Sequence, residues 1–419
     1  MPATPSPLPN LRARYALPDD GAVELRAFTH GPMPRTVPAM LQRFAEDWQT
    51  RGVDAWNEVP NHWLPASGDR VGWWTLPTYL GDAFVAPLLG AAAGTCVMQP
   101  NAHWTMQCVL SSEELFGRRR KVVYPAGAFP SVAHSLERWR SLTGLEPVEI
   151  PASRAGFVDR RAVLDAIDAR TQLVVLSHVS FLSGEKLSDD FLASVASRAH
   201  QAGALLVVDG YHSIGAAFGP MADLGVDVYI GGLLKEGSGS SGNGFVFLRP
   251  GLALTPRVTG WFGDAEPFAF NPLPLPNPDV RLRFLGGTTA IASLYHAVEG
   301  ARILLDAGLD AVQRHTLALG REAIARAEDL GLRLRSPRED ERRSAMLVFE
   351  LQGADRAAMY LKQRGVLVDS RKGRYLRMAP FVWNDAGEVA RCFTALSEGL
   401  AGRRYLKEGL AEDRPGPVT

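Results

Sequence analysis

Two short stretches of this 419-residue chain carry residue types that could do chemistry together. The first, LLVVDGYHSIG over Leu205–Gly215, ends an apolar run at Asp209 and follows it with His212. In parallel α/β sheets, ligands bind beyond the carboxyl ends of the strands, so a carboxylate delivered there faces a site. Taken alone, it serves equally well as a helix cap or turn former. The second stretch, VDVYIGGLLKEGSGSSGNG over Val226–Gly244, sets Lys235 just past another apolar run and directly before a Gly/Ser-rich loop. The chain has only six lysines, and Lys235 alone has this setting. A lysine withdrawn from water there has a lowered pKa and can form a Schiff base with a carbonyl compound. Glycines let backbone come close to a cofactor, although a plain flexible loop has the same composition. The pair is more telling than either member. Pyridoxal phosphate needs a lysine for covalent attachment and a carboxylate to keep its pyridine nitrogen protonated. It also wants an aromatic ring to stack on and a phosphate cradle at a helix start.

The elements that must position these groups read as alternating strands and helices. Strands are expected at Lys121–Tyr124, Leu173–Ser177, Ala204–Asp209, Val226–Ile230 and Gly244–Leu248, with helices at Val132–Thr143 and Asp189–Gln201. Runs such as LVVL and ALLVV are apolar on both faces, which suits a mostly parallel sheet covered by helices in a layered α/β architecture. From about Thr289 the texture changes. Ile291–Leu330 has helical spacing broken mainly near Gly308. Leu347–Leu351, Ala357–Arg364 and Ala386–Leu400 then read as a smaller α+β part. The expected division is a large domain over 50–290 and a small one combining 1–49 with 291–419. Asn271–Pro278 is expected to be a loop, and Met1–Asp20 and Ala411–Thr419 are expected to be poorly ordered.

Composition excludes several classes. With 45 basic against 45 acidic side chains the net charge is zero, so the basic surface of a nucleic-acid protein is missing. No apolar run approaches the ~20 residues that span a bilayer, and no signal-peptide pattern opens the chain. Cys96, Cys108 and Cys392 lack the spacing of a disulfide framework or zinc site, which fits a reducing cytoplasm. The cluster Arg118–Lys121 reads as a solvated face.

From about Phe28 to Leu396 the sequence resembles the fold-type I, class V pyridoxal-phosphate enzymes, and within them the kynureninase branch. GPMPRTVPAM with a following helix and Trp56 resembles the family's amino-terminal segment. AGAFPSVAHSLE resembles its FPSD segment, and the likeness implies that Phe129 lies over the cofactor ring. LSHVSFLSGEK resembles the strand and turn ahead of the aspartate, with Phe181 where desulfurases of the class carry Asn. VVDGYHSIGA supplies Asp209 and His212, and GWFGD supplies Trp261 in a GWWGH-like motif. FLGGTTAI places Thr288 at a polar position near a subunit boundary. YLRMAPFVWND resembles the carboxyl-terminal R-x-AP segment, so Arg377 would hold a substrate α-carboxylate. The resemblance sets the phosphate cradle at Ala102 and His103. It implies a fold-type I architecture, pyridoxal phosphate as cofactor, an amino-acid substrate, and a homodimer whose Thr288 serves the partner subunit.

Three positions depart from the branch: Leu234 replaces a Tyr before the lysine, Val132 the FPSD aspartate, and Asp264 the histidine of the GW motif. The expected reaction is hydrolytic Cβ–Cγ cleavage giving alanine and an aryl acid, with Lys235 moving the α-proton. Transamination and Cβ–X elimination are the alternatives within the class, and a non-catalytic cofactor-binding protein is the alternative outside it. Trp56, Trp63 and Trp104 suit an aryl substrate and a packed core equally. Asn61, His62 and Trp63 are candidates to approach the substrate, and His178 is expected to be structural. Cys392, inside an apparent helix, reads as a buried hydrophobe, which argues against persulfide chemistry.

Overall fold

The structure is a computed structural model that describes residues 8, 11–17, 21–215, 220, 221 and 223–407. Its main sheet has seven strands: β1 (Cys96–Gln99), β2 (Lys121–Pro125), β3 (Glu146–Ile150), β4 (Thr171–Ser177), β5 (Leu205–Asp209), β6 (Val228–Gly232) and β7 (Gly244–Leu248). Their order is β1-β7-β6-β5-β4-β2-β3. All neighbouring pairs are parallel except those made by β7, which runs antiparallel to both β6 and β1. The double-sided apolar character of these strands follows from burial on both faces. Leu173 and Val175 of β4 join one core cluster with Val109 and Leu136, while Val174 and Leu176 join another with Leu192 and Val195. After α1 (Val37–Arg51) of the amino-terminal segment, the covering helices include α2 (Ala102–Leu110), α3 (Pro130–Thr143) and α4 (Asp189–Gln201). Pro130 opens α3, where its missing N–H and fixed φ suit a first turn.

The second sheet is four-stranded and antiparallel, in the order β8 (Arg333–Leu334), β9 (Leu347–Glu350), β11 (Tyr375–Met378), β10 (Asp369–Arg371). Helices α7 (Leu309–Asp329), α8 (Ala354–Lys362) and α9 (Ala386–Leu400) share a separate core with it. A capping box between Asp385 and Glu388 starts α9. The amino-terminal segment joins this part: Val23–Glu24 pairs in parallel with Val366–Leu367.

Three expectations need correction. The helical stretch from Ile291 breaks twice, at Val298 as well as Gly308, giving α5 (Ile291–Ala297), α6 (Glu299–Ala307) and α7. Residues 11–17 are packed, because Tyr15 buries its ring against Trp383 at 5.1 Å and Tyr15–Ala16 pairs with Met33–Pro34. The remaining described-end expectations for 1–7, 9, 10, 18–20 and Ala411–Thr419 lie outside the described residues. Lys121 is no solvated charge: it is buried at the start of β2 and bonds Asp168 at 3.0 Å, while Arg118, Arg119 and Arg120 are exposed. Among the described residues, no helix is long and apolar enough to cross a membrane, and no acidic, His or Cys cluster could hold a metal ion.

Candidate active site

A cavity of about 360 Å³ opens at the carboxyl ends of the parallel strands. Asp209 enters it from the last residue of β5 and Lys235 from the turn after β6. Adjacent parallel strands carry the two residues to one edge, which is why a sheet-based fold makes a lysine–carboxylate site without long loops. His212, Phe129, Ala102 and His103 also line it.

The loop after Lys235 is tightly constrained. Ser238 and Ser240 hold positive φ of 48° and 62°, a region that side chains rarely adopt and that collects at functional sites. Gly31 presses on it from the amino-terminal segment, its N–H bonding the Leu234 carbonyl at 3.1 Å. A Cβ at Gly31 would run into the Lys235 carbonyl oxygen and Ser238 Oγ. Gly244 likewise leaves room for the Asn101 backbone, since an added Cβ would lie 2.9 Å from its Cα.

Charge in the cavity is set by burial. Lys235 Nζ contacts His212 Nε2 at 2.5 Å and lies 4.9 Å from the centre of the Tyr211 ring. Desolvation lowers the lysine pKa, against the opposing pull of Glu236 and Asp209. Desolvation also lowers His212 well below the ordinary imidazole value, with Lys235, Arg377 and Arg371 adding to it, so the ring is neutral. Asp209 accepts a bond from the Tyr211 backbone N–H at 3.0 Å. Burial still raises its pKa, and neither that bond nor Lys235 offsets the cost. A protonated ring nitrogen placed against this carboxylate would supply the missing compensation.

The cradle is α2. Asn101 is its N-cap, with extended backbone and a side chain that accepts the Trp104 N–H at 2.8 Å. Its first turn, with Ala102 and His103, presents N–H groups that have no intrahelical acceptor and favour an anion. The residues present therefore fit pyridoxal phosphate: a lysine, a carboxylate partner for the pyridine nitrogen, a phosphate-binding helix start, and Phe129 and Tyr211 as aromatic walls.

Arg377 sits beside this cavity without lining it. Its guanidinium is almost fully buried, pairs with Asp369 through Nη2, donates from Nη1 to the Phe181 carbonyl at 2.7 Å, and lies 4.7 Å from the Phe28 ring centre. Phe181 in turn packs edge-on against Phe129 at 5.3 Å. Asp369 and Arg377 are cross-strand partners in β10 and β11, and Asp369 also bonds Arg371 at 2.5 Å. Within one chain, Trp261 and Thr288 stand apart from Lys235. Trp261 is half exposed among Trp74, Phe262 and Phe268, and Thr288 lines a different cavity with Gln99 and Trp104.

The aryl-substrate candidates are engaged elsewhere. Trp63 is buried and donates to the Tyr295 carbonyl, Trp56 packs on Trp73, and Trp104 donates to the Phe284 carbonyl. Asn61 bonds the Tyr79 hydroxyl and His62 bonds Asp47. His178 is fully buried against the Tyr229 hydroxyl at 2.8 Å. The three cysteines are buried thiols whose pKa values burial pushes up to about 12. Sequence reasoning missed Tyr211 and Asp369. Tyr211 was available as an aromatic within DGYH, but Asp369 has no local signal, since only strand pairing brings it to Arg377.

With this geometry in view, the sequence and fold comparisons converge. Residues 85–392 match the family model described as aminotransferase class-V, and the chain belongs to that family. It is similar to a kynureninase of Geobacillus thermodenitrificans at 25% identity, covering 96% of this chain and 93% of that one. A kynureninase of Burkholderia pseudomallei is 29% identical over 88% and 87% of the respective chains. The fold matches an apo cysteine desulfurase from Thermococcus onnurineus NA1 with a TM-score of 0.78 at 19% identity, over 95% and 99% of the two chains. It also matches a mutant of C-DES with glycine covalently linked to its pyridoxal-phosphate cofactor, with a TM-score of 0.76 at 14% identity, over 94% and 100%. The architecture is thus fold-type I, and the cofactor is pyridoxal phosphate.

Proposed function

We propose that this protein hydrolyses the Cβ–Cγ bond of an amino acid bearing an aryl ketone, with water as co-substrate, giving alanine and an aryl acid. The supporting observation is the Lys235–Asp209 pair in a cavity bordered by Phe129 and Tyr211, in a chain similar to kynureninases over nearly its whole length. Bound pyridoxal phosphate supplies an electron sink for bonds broken at the substrate's Cα. Asp209 holds the positive end of that sink, and the first turn of α2 holds its phosphate. Arg377 takes the substrate carboxylate, a task suited to a planar guanidinium whose Nε has no partner among the described residues. Lys235, freed by the incoming amino group, takes the α-proton as a neutral amine and returns a proton on the same face. Water adds to the γ-carbonyl before the bond breaks, so the acyl carbon leaves as the carboxylate. The bonding electron pair stays on Cβ, which takes up a proton from water to become the methyl group of alanine, while Lys235 returns the α-proton to Cα.

A Cβ–X elimination is the second reading, favoured by one feature: Leu234 lines the cavity and offers no hydroxyl for a hydrated carbonyl. Persulfide chemistry on a protein cysteine is disfavoured by the burial of all three thiols. Those free thiols fit a cytoplasmic setting. We also propose a homodimer, supported by the exposed side chains of Trp261, Phe268, Phe270, Leu273 and Leu275 along one segment and by the second cavity at Thr288. In that dimer Trp261 and Thr288 complete the partner's site.

The test is anthranilate fluorescence after L-kynurenine is added to the holoenzyme, with Lys235→Ala as the blank. Release by the wild type alone supports hydrolysis. Pyruvate and ammonia from a β-substituted alanine, with no anthranilate, would move the assignment to elimination.

A further inference from the structure

Lys235 and the next residue, Glu236, point into different spaces. Lys235 lines the main cavity, whereas Glu236 lines a smaller one with about 10 Å³ of room for a water centre. His212 is the one side chain bordering both, and its ring touches Lys235 Nζ at 2.5 Å. Glu236 is 4% exposed, and its Oε2 has no hydrogen-bond partner among the described residues. A buried carboxylate left this way is expensive unless it is protonated or paired. The space is enough for about one water.

We propose that Glu236 is a positioning residue that shares one proton with Lys235 across His212 and a single water in the small cavity. Moving that proton from the ammonium to the carboxylate leaves a neutral amine and a carboxylic acid, with no change in net charge and no exchange with solvent. The directions of both pKa shifts agree: burial lowers the lysine and raises the glutamate, bringing two groups of ordinarily distant pKa together. The other charged and titratable groups facing the pair are Tyr211, Asp209 and Arg343, and Arg377 and Arg371 act on Lys235 from the second sheet. Burial thus gives Lys235 its reactive neutral form, and Glu236 keeps the proton that the lysine gives up within reach.

This inference rests on Lys235 being the reactive amine. The experiment is a pH titration of the visible band of the bound cofactor in wild type, Glu236→Gln, Glu236→Asp and Lys235→Ala, with infrared detection of a protonated buried carboxyl in the wild type. The expected result is a titration midpoint lowered by about one pH unit or more in Glu236→Gln, since a carboxylate no longer favours the cationic nitrogen, and a midpoint closer to wild type in Glu236→Asp. The protonated-carboxyl band should be present in wild type and missing in Glu236→Gln. An unchanged midpoint in Glu236→Gln with the cofactor retained overturns the proposal, as does a wild type lacking that infrared band. A visible cofactor band that is unchanged in Lys235→Ala overturns the lysine assignment itself, which separates the two failures.

Discussion

Arg377 and Asp369 form the tightest charge pair near the site, and their burial decides how each responds to substitution. Replacing Asp369 by Asn leaves a buried guanidinium without its counter-charge. Breaking a buried pair in this way costs about 3–5 kcal/mol. Asp369→Asn should therefore lower the unfolding midpoint markedly, read by urea denaturation. Arg377→Lys keeps the charge but loses the planar fork, and KM for the amino-acid substrate should rise about tenfold or more with a smaller change in kcat. Leu234→Tyr should raise kynurenine turnover if the missing hydroxyl limits hydrolysis; no gain in anthranilate would remove Leu234 as the cause. His178 supplies a pH signature. Burial lowers its pKa from 6.5 to about 3, so below pH 6.5 the unfolded chain takes up a proton that the folded one refuses. Its contribution makes stability fall by about 1.4 kcal/mol per pH unit between those two values as the pH drops. His178→Asn, measured by urea midpoints between pH 7 and 5, should show a shallower slope than wild type.

The elements explain which residues the sequence made visible. Asp209 and Lys235 stand at the ends of continuous apolar runs, and a run buried on both faces is legible without knowing its neighbours. Ala102 and His103, expected as the phosphate cradle, open helix α2, yet β1 just ahead of it went unread because four residues, CVMQ, carry too little periodicity. Asp369 and the wall that His212 makes between two cavities were invisible for a different reason. Both depend on register and on side-chain direction, which sequence spacing does not encode for distant segments. At this scale, Asn101→Ala should cost about 1 kcal/mol through the lost cap and should also weaken cofactor retention, measured by thermal melts and by dilution of the holoenzyme.

For the whole molecule, the exposed apolar side chains between Trp261 and Leu275 make the proposed association testable. Charged substitutions such as Phe270→Asp with Leu273→Asp should yield monomers in sedimentation velocity, and cofactor affinity should fall with dimer loss if Thr288 serves the partner's site. The two sheets are joined at Arg377, whose strand belongs to the small sheet while its Nη1 holds the Phe181 carbonyl of the segment after β4. The guanidinium is therefore both a receptor and a rivet. A carboxylate bound at the unpartnered Nε would share the charge of the same guanidinium whose Nη1 fastens one half of the molecule to the other. Substrate affinity and the stiffness of that seam would then rise and fall in opposite directions, so an amino acid that fits well would announce itself as a looser joint.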